Sequence, residues 1–191
     1  MSDISMEDIR QVIILAAKSL QSVSENCVLN VTNLDLLSQV IQQAEQAGVE
    51  AADILECVEE KNEAGLKKLD LPEKILTVLS ALIRTSGAAA QVLPELIGAL
   101  EGWCDTTSLQ HLAQLISSIE DAQIRNMLQV DFSVVSDINY YNGIIFKGFV
   151  EGVPSAVLSG GQYDKLMKKM KHSSSAVGFA VYLDMLDMAS E

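Results

Sequence analysis

The feature that most constrains the fold of this chain is a β-rich segment near its end, from Val130 to Leu186. Alternating, β-branched and aromatic residues predict a first strand over Val130 to Val135. A second apolar run predicts a strand over Gly143 to Val150, and a third predicts one over Ala156 to Leu158. Three short strands this close together indicate a sheet.

Turn residues separate these strands and suggest how they pair. Gly152-Val153-Pro154 lies between the second and third strands, so we expect an antiparallel hairpin there. Gly160 and Gly161 mark the end of the third strand, where the backbone turns sharply or lets another group approach closely. A short basic helix follows the two glycines.

The chain before this segment is predicted to be mostly helical, because apolar residues recur at helical spacing. Ser5 and Asn33 are typical helix caps, Gly48 is a typical helix end, and Cys27 to Val31 predicts a short strand. The further predicted helices cover Leu34–Ala47, Ala51–Leu69 with a break near Asn62 or Gly65, a stretch from Pro72, Ala88–Leu100, and Thr107–Ile119. Helices first and strands later predict one α+β domain over residues 1–191, with helices packed on an antiparallel sheet.

Composition excludes several classes of function. A formal net charge of −13 disfavours nucleic acid as a main partner, since an acidic surface repels phosphates. The apolar runs are too short to span a bilayer, and the first residues do not resemble a secretory signal. The three separated cysteines are typical of reduced thiols, so we expect a cytoplasmic protein.

Four short motifs in the β-rich segment carry a resemblance to a known family. They are SDINYYNG at 136–143, IFK at 145–147, GGQYD at 160–164 and GFAVYLDML at 178–186. Their order and spacing resemble the end of the catalytic core of histidyl-tRNA synthetases, which are class II aminoacyl-tRNA synthetases. A looser resemblance reaches Val28–Leu37 and Glu59–Leu69.

The resemblance implies a division of the chain. Residues 1–50 would begin the core fragment, residues 51–125 would form a helical insertion, and residues 126–191 would form the β-rich end of the core. Nothing in the chain matches the two earlier motifs of the family, so the expected fold is a partial class II core. An open sheet edge is then expected, which self-association or a partner would cover.

The chain departs from the family at three positions where the family has arginine, and these are Ser136, Gln162 and Met185. Adenylate formation develops negative charge on a phosphoryl group, which guanidinium groups stabilise. Uncharged side chains cannot do this. The resemblance therefore implies a chain with no catalytic residues that is not an enzyme.

The resemblance also implies a set of histidine-binding residues: Tyr140, Tyr141, Gly160, Gly161 and Tyr163. Strand alternation would place Tyr140 and Tyr141 on opposite faces, so at most one of them lines a pocket. The alternative is that the tyrosines are structural and the glycines form a turn without a ligand. No cofactor is expected, and no metal site, because His111 and His172 have no further ligand at suitable spacing.

Three functions remain open at this point. The first is a non-catalytic relative of the family, the regulatory subunit of ATP phosphoribosyltransferase in histidine biosynthesis, or a fragment of one. The implied partners are the short-form catalytic subunit, histidine as a candidate ligand, and further copies in a homo-oligomer. The second is a histidyl-tRNA synthetase core fragment that activates histidine with ATP. The third is a structural or dimerisation domain without a ligand.

The basic cluster at Lys165–His172 is interpreted as a solvated helix face, with anion binding as the alternative.

Overall fold

The computed structural model of the chain describes residues 4–134, 141–170 and 174–187. Within them lie six strands that share one sheet. The strands are β1 (Cys27–Asn33), β2 (Ser86–Ala88), β3 (Leu128–Asp131), β4 (Asn142–Val150), β5 (Leu158–Gln162) and β6 (Val177–Val181).

The helices of the described residues lie mainly between β1 and β3. They are α1 (Met6–Gln21), α2 (Leu34–Gln46), α3 (Ala51–Glu59), α4 (Glu63–Leu66), α5 (Glu73–Arg84), α6 (Ala89–Leu100), α7 (Thr107–Ser117), α8 (Ala122–Met127), α9 (Asp164–Lys169) and α10 (Leu183–Asp187). The segment predicted as a helical insertion, residues 51–125, also supplies strand β2.

The strand order in the sheet is β2-β3-β1-β4-β5-β6. Every neighbouring pair is antiparallel except β1 and β3, which run parallel with Leu29 opposite Leu128. A parallel pair needs a long crossover connection, and the helices α2 to α8 supply it. The predicted α+β class with helices packed on a sheet is confirmed, and the sheet is a mixed one.

One face of the sheet packs against the helices. Leu29, Val31, Phe146 and Leu158 point to this face and are buried. Helix α1 approaches it so closely that a Cβ at Gly148 would lie 2.5 Å from a methyl carbon of Leu20. Glycine at this position therefore lets α1 pack on strand β4.

The predicted helix caps are confirmed. The Ser5 hydroxyl accepts from the Asp8 amide while the Asp8 carboxylate accepts from the Ser5 amide, a reciprocal arrangement called a capping box. Asn33 Oδ1 accepts from the Asp35 amide at 2.8 Å and begins α2. Gly48, with φ of +92°, follows the end of α2.

Two strand predictions near the end of the chain are wrong in their bounds. β3 ends at Asp131 rather than Val135, because the Asp131 carboxylate accepts from the backbone amide and hydroxyl of Ser133 and turns the chain. Val135 itself lies outside the described residues. β5 starts at Leu158, where the predicted strand was to end.

Gly160 and Gly161 do not end a strand, because they lie in the middle of β5 and pair with both neighbours. A Cβ at Gly160 would lie 2.5 Å from the Gly178 carbonyl oxygen and 2.6 Å from the ring of Phe146. Position 160 has a glycine because neighbouring atoms of the sheet approach it closely, and not because the chain turns sharply there.

Candidate functional site

The face of the sheet opposite the packed helices carries polar side chains, and we call it the polar face. Asn30 lies opposite Lys147, and Lys147 lies opposite Ser159, so these three residues form a row across β1, β4 and β5. Thr32 lies on the same face and is 1% exposed. Within the described part of the chain, Thr32 Oγ1 and Asn30 Oδ1 are buried oxygens without a hydrogen-bond partner.

Two tyrosines form an aromatic pair beside this row. The ring centroids of Tyr141 and Tyr163 are 4.8 Å apart, and their hydroxyl oxygens are 3.3 Å apart. The Tyr141 ring lies against the backbone of Gly161, where a Cβ would come within 2.9 Å of a ring carbon. Both rings are half-buried. The pair thus presents apolar ring surface and two hydroxyl groups in one place.

The structure brings together three of the five residues implied by the resemblance, namely Tyr141, Gly161 and Tyr163. Gly160 points to the helix-covered face, towards Phe146 and Phe179. Tyr140 lies outside the described residues.

Of the three positions where the resemblance leads us to expect arginine, two lie among the described residues. Gln162, the last residue of β5, turns its side chain back onto strand β4, where its Oε1 accepts from the Ile144 amide at 2.8 Å. Met185 is half-buried in α10 and packs against the hydrophobic core. Ser136 lies outside the described residues. Neither position 162 nor position 185 presents a charge.

Polar contacts tie the start of β4 to its surroundings. Asn142 Nδ2 donates to Asp164 Oδ2 at 3.0 Å, and Asp164 Oδ1 accepts from the Ala176 amide at 3.3 Å. On the other side, Asp35 Oδ1 accepts from the Gly143 amide at 3.0 Å. The entrance of β4 is therefore joined to α2, to α9 and to the approach to β6.

A polar cleft of about 440 Å³ opens next to this entrance, and sequence reasoning did not predict it. It lies between the first turns of α2 and α7 and the start of α9. Its charged and titratable lining residues are Asp35, Asp105, His111 and Lys165. A hydrogen bond from Thr107 holds the pKa of Asp105 below its usual range, so this carboxylate stays ionised. Little in the sequence indicates this cleft, because its lining residues come from three separate parts of the chain.

The structure also locates His111 and part of the basic cluster that the sequence indicated. His111 is exposed. Lys165, Lys168 and Lys169 lie on the exposed side of α9, whereas Lys171 and His172 lie outside the described residues.

In residues 4–134, 141–170 and 174–187, three or more His, Cys, Asp or Glu side chains nowhere come together as a metal site would require. Among the same residues, every helix is too short or too polar to cross a bilayer.

Comparison with known proteins gives a consistent set of relatives. A protein named ATP phosphoribosyltransferase regulatory subunit from Caldanaerobacter subterraneus subsp. tengcongensis is 29% identical over 168 residues. The chain also superposes on the crystal structure of an ATP phosphoribosyltransferase regulatory subunit/histidyl-tRNA synthetase from Bacillus halodurans C, with a TM-score of 0.78 and 24% identity. It superposes on the ATP phosphoribosyl transferase (HisG:HisZ) complex from Thermotoga maritima with a TM-score of 0.67 and 18% identity.

Each match covers most of this chain but a smaller share of the relative. The Caldanaerobacter match covers 88% of this chain but 40% of the relative. The Bacillus match covers 96% of this chain and 50% of the other, and the Thermotoga match covers 94% and 62%. The chain therefore spans about half the length of these relatives. Residues 3–186 match the family described as Histidyl-tRNA synthetase, and the chain belongs to that family.

Proposed function

We propose that this chain is a non-catalytic, synthetase-like regulatory subunit of ATP phosphoribosyltransferase, or part of one. In this role it binds the short-form catalytic subunit and takes part in feedback inhibition by histidine. The names of the relatives support the regulatory role, and the Thermotoga complex supports a catalytic partner.

The observation that carries the proposal is the arrangement at Gln162. The aromatic pair, Gly161 and the strand frame around them are in place, yet the side chain at position 162 is an uncharged amide bonded to the Ile144 backbone. Transfer of an adenylyl group from ATP to the carboxylate of histidine, with pyrophosphate as the leaving group, develops negative charge that fixed cations stabilise. An aromatic pair that could hold an amino acid, without the positive charge that adenylation needs, fits a sensor better than a ligase.

Histidine is the proposed ligand, and Tyr141, Gly161 and Tyr163 are the proposed binding residues, with Gly160 and Tyr140 next to them in sequence. An imidazole ring can stack on a phenol ring and exchange hydrogen bonds with a phenol hydroxyl. Histidine can inhibit the assembly only if it binds the inhibited state more tightly than the active state, because the coupling between two binding sites is reciprocal.

The binding experiment uses the short-form catalytic subunit from the same genome, with biolayer interferometry to measure association. We expect association with this chain, and tighter association or lower transferase activity when histidine is added. The chain and any longer protein from the same genome that contains it are tested in parallel. Failure of both to associate would contradict the proposal.

Titration calorimetry with histidine tests the ligand. Tyr141→Leu removes one ring of the pair, and we expect about tenfold weaker binding, which corresponds to a loss of about 1.4 kcal/mol. Phe149→Leu is the matched control, because Phe149 is an aromatic residue near the far end of strand β4, where it pairs with Val28, whereas Tyr141 lies just before the start of that strand. Equal loss in both variants would indicate a general effect on the strand rather than a ligand contact.

A second candidate is the histidine-activating core of a synthetase, which the family description favours. It predicts pyrophosphate exchange that depends on ATP and histidine. The uncharged residues Gln162 and Met185 count against it. Measurable exchange would favour the enzyme and overturn the regulatory proposal.

Self-association is proposed through the β6 edge of the sheet. Residues 173–183 contain no charged side chain, although the whole chain has a net charge of −13. The sequence of β6, Val-Gly-Phe-Ala-Val, is nearly palindromic about Phe179. An antiparallel pair of two such edges would therefore place large residues opposite large ones and small residues opposite small ones. Val181 at the end of β6 is 36% exposed, and Tyr182 and Leu183, which follow the strand, are 41% and 71% exposed.

A further inference from the structure

Strand β4 contains an irregularity at its start. Asn142 lies opposite Gln162 and Ile145 lies opposite Gly161, so β4 advances by three residues where β5 advances by one, and two residues of β4 have no opposite residue on β5. The two extra residues are Gly143 and Ile144, both of which are buried. Such a bulge leaves backbone amides of the bulged strand without partners on the neighbouring strand.

Side chains from outside the strand satisfy both of these amides. The Gly143 amide donates to Asp35 Oδ1 at 3.0 Å, and the Ile144 amide donates to Gln162 Oε1 at 2.8 Å. The carboxamide of Gln162 thus serves as the acceptor that strand β5 does not offer.

Gly143 makes room for this arrangement. Its φ is +58°, in the left-handed region, and a Cβ on it would collide with Gln162 Oε1. The glycine and the glutamine therefore depend on each other, because the first leaves the space that the second fills.

We infer that Gln162 is a positioning residue that fixes the bulge of β4 and, through it, the ring of Tyr141 against Gly161. Tyr141 immediately precedes the bulge, so the direction of its ring depends on how the bulge is held. The inference rests on the proposed function only in taking the Tyr141–Tyr163 pair as the ligand contact. An arginine has donors and no acceptor, so it cannot bond the Ile144 amide. An arginine at position 162, which the resemblance leads us to expect, could therefore not form the hydrogen bond that Gln162 makes with the Ile144 amide.

The test uses three variants that separate the acceptor from the shape of the side chain. Gln162→Glu keeps an acceptor oxygen at nearly the same place, Gln162→Met keeps the length without an acceptor, and Gln162→Arg supplies donors only. Gln129→Met is the matched control, because Gln129 lies on the polar face opposite Asn30, and strands β1 and β4 separate its strand from that of Gln162. The readouts are hydrogen exchange of the Ile144 amide by NMR and the near-ultraviolet circular dichroism of the tyrosines.

We expect Gln162→Met and Gln162→Arg to speed exchange of the Ile144 amide by about tenfold or more, and to change the tyrosine signal. Gln162→Glu and Gln129→Met are expected to behave as the unmodified chain. Unchanged exchange in Gln162→Met, or equal acceleration in Gln162→Glu, would overturn the inference. If Gln162→Met does not fold, the thermal midpoints of Gln162→Arg and Gln162→Glu are compared instead. The acceptor role predicts a lower midpoint for Gln162→Arg, and equal midpoints would contradict it.

The same variants separate this inference from the proposed function, because neither readout needs histidine. If the unmodified chain does not bind histidine but the exchange pattern holds, the proposed function fails and the positioning role stands. If histidine binds but the exchange pattern fails, the positioning role is wrong and the proposed function stands.

Discussion

Arg84 and Glu63 join helix α5 to helix α4 through two parallel hydrogen bonds between a guanidinium and a carboxylate. Arg84 Nε donates to Glu63 Oε2 at 2.8 Å, and Nη2 donates to Oε1 at 2.6 Å. Lys67 adds a second cation at 2.8 Å from Glu63 Oε1. These groups, together with the fully buried side chain of Leu66, hold the four-residue helix α4 in place.

The hydrogen bonds from Arg84, and then from Lys67, lower the pKa of Glu63 from 4.5 to about 2. A lowered folded-state pKa means that the ion pair stabilises the fold above pH 4.5 and is lost as the pH falls from 4.5 towards 2. We expect Glu63→Gln to lower the thermal midpoint at pH 7 and to match the unmodified chain near pH 2. Glu45→Gln, an exposed glutamate of α2, is the control. A difference that stays constant across this range would contradict the prediction.

Gly160→Ala tests the close approach within the sheet. The added methyl would lie 2.5 Å from a backbone oxygen of β6, which cannot move without disturbing the strand. We expect a loss of about 1–3 kcal/mol in the free energy of unfolding, measured with urea. Gly98→Ala in α6 meets no atom within 4 Å and should instead stabilise by about 0.5–1 kcal/mol. Equal effects of the two substitutions would show that packing at Gly160 is not the cause.

Ser5→Ala tests the capping box of α1. Removing the hydroxyl leaves the Asp8 amide without its acceptor, and we expect a loss of about 1 kcal/mol in the free energy of unfolding. Ser19→Ala is the same substitution in the interior of the same helix, where alanine is preferred. It should be neutral or slightly stabilising. A similar loss from both serines would exclude a specific capping role.

Ala180→Glu tests self-association through the β6 edge. Ala180 is exposed, and in the palindromic pairing two new carboxylates would lie diagonally across the contact, about 7–8 Å apart. We expect the unmodified chain to sediment with twice the mass of one chain, and the variant with the mass of one. Ser86→Glu places the same charge on the opposite edge strand β2 and should leave the dimer intact. A monomeric unmodified chain, or a variant that still dimerises, would contradict the proposed edge contact.

Features with local causes could be predicted from the sequence. The caps at Ser5 and Asn33 and the glycine after α2 depend on residues within one turn, and each was predicted at its observed position. The second strand of the β-rich segment was predicted within one residue of β4, because its apolar run is long. The three-residue strand β2 was missed, since Ser86–Ala88 has no pattern of its own and pairs only because β3 lies beside it.

Features that depend on distant neighbours could not be predicted. The glycines of β5 are explained by Phe146 and Gly178, which lie at other places in the chain. The grouping of Tyr141 with Tyr163 followed from the resemblance, but the distance between the rings did not. The contact of Gln162 with the Ile144 amide needs the bulge of β4, which no spacing of residue types indicates.

The parallel pairing of Leu29 with Leu128 also has a consequence for how the protein folds. Strand β1 is synthesised early, yet its two neighbours, β3 and β4, follow only after seven helices have been made. Closing a loop of that length costs chain entropy before any pairing compensates for it, so contacts of this kind slow folding. We expect the nascent chain to carry β1 without a neighbour until β3 and β4 leave the ribosome.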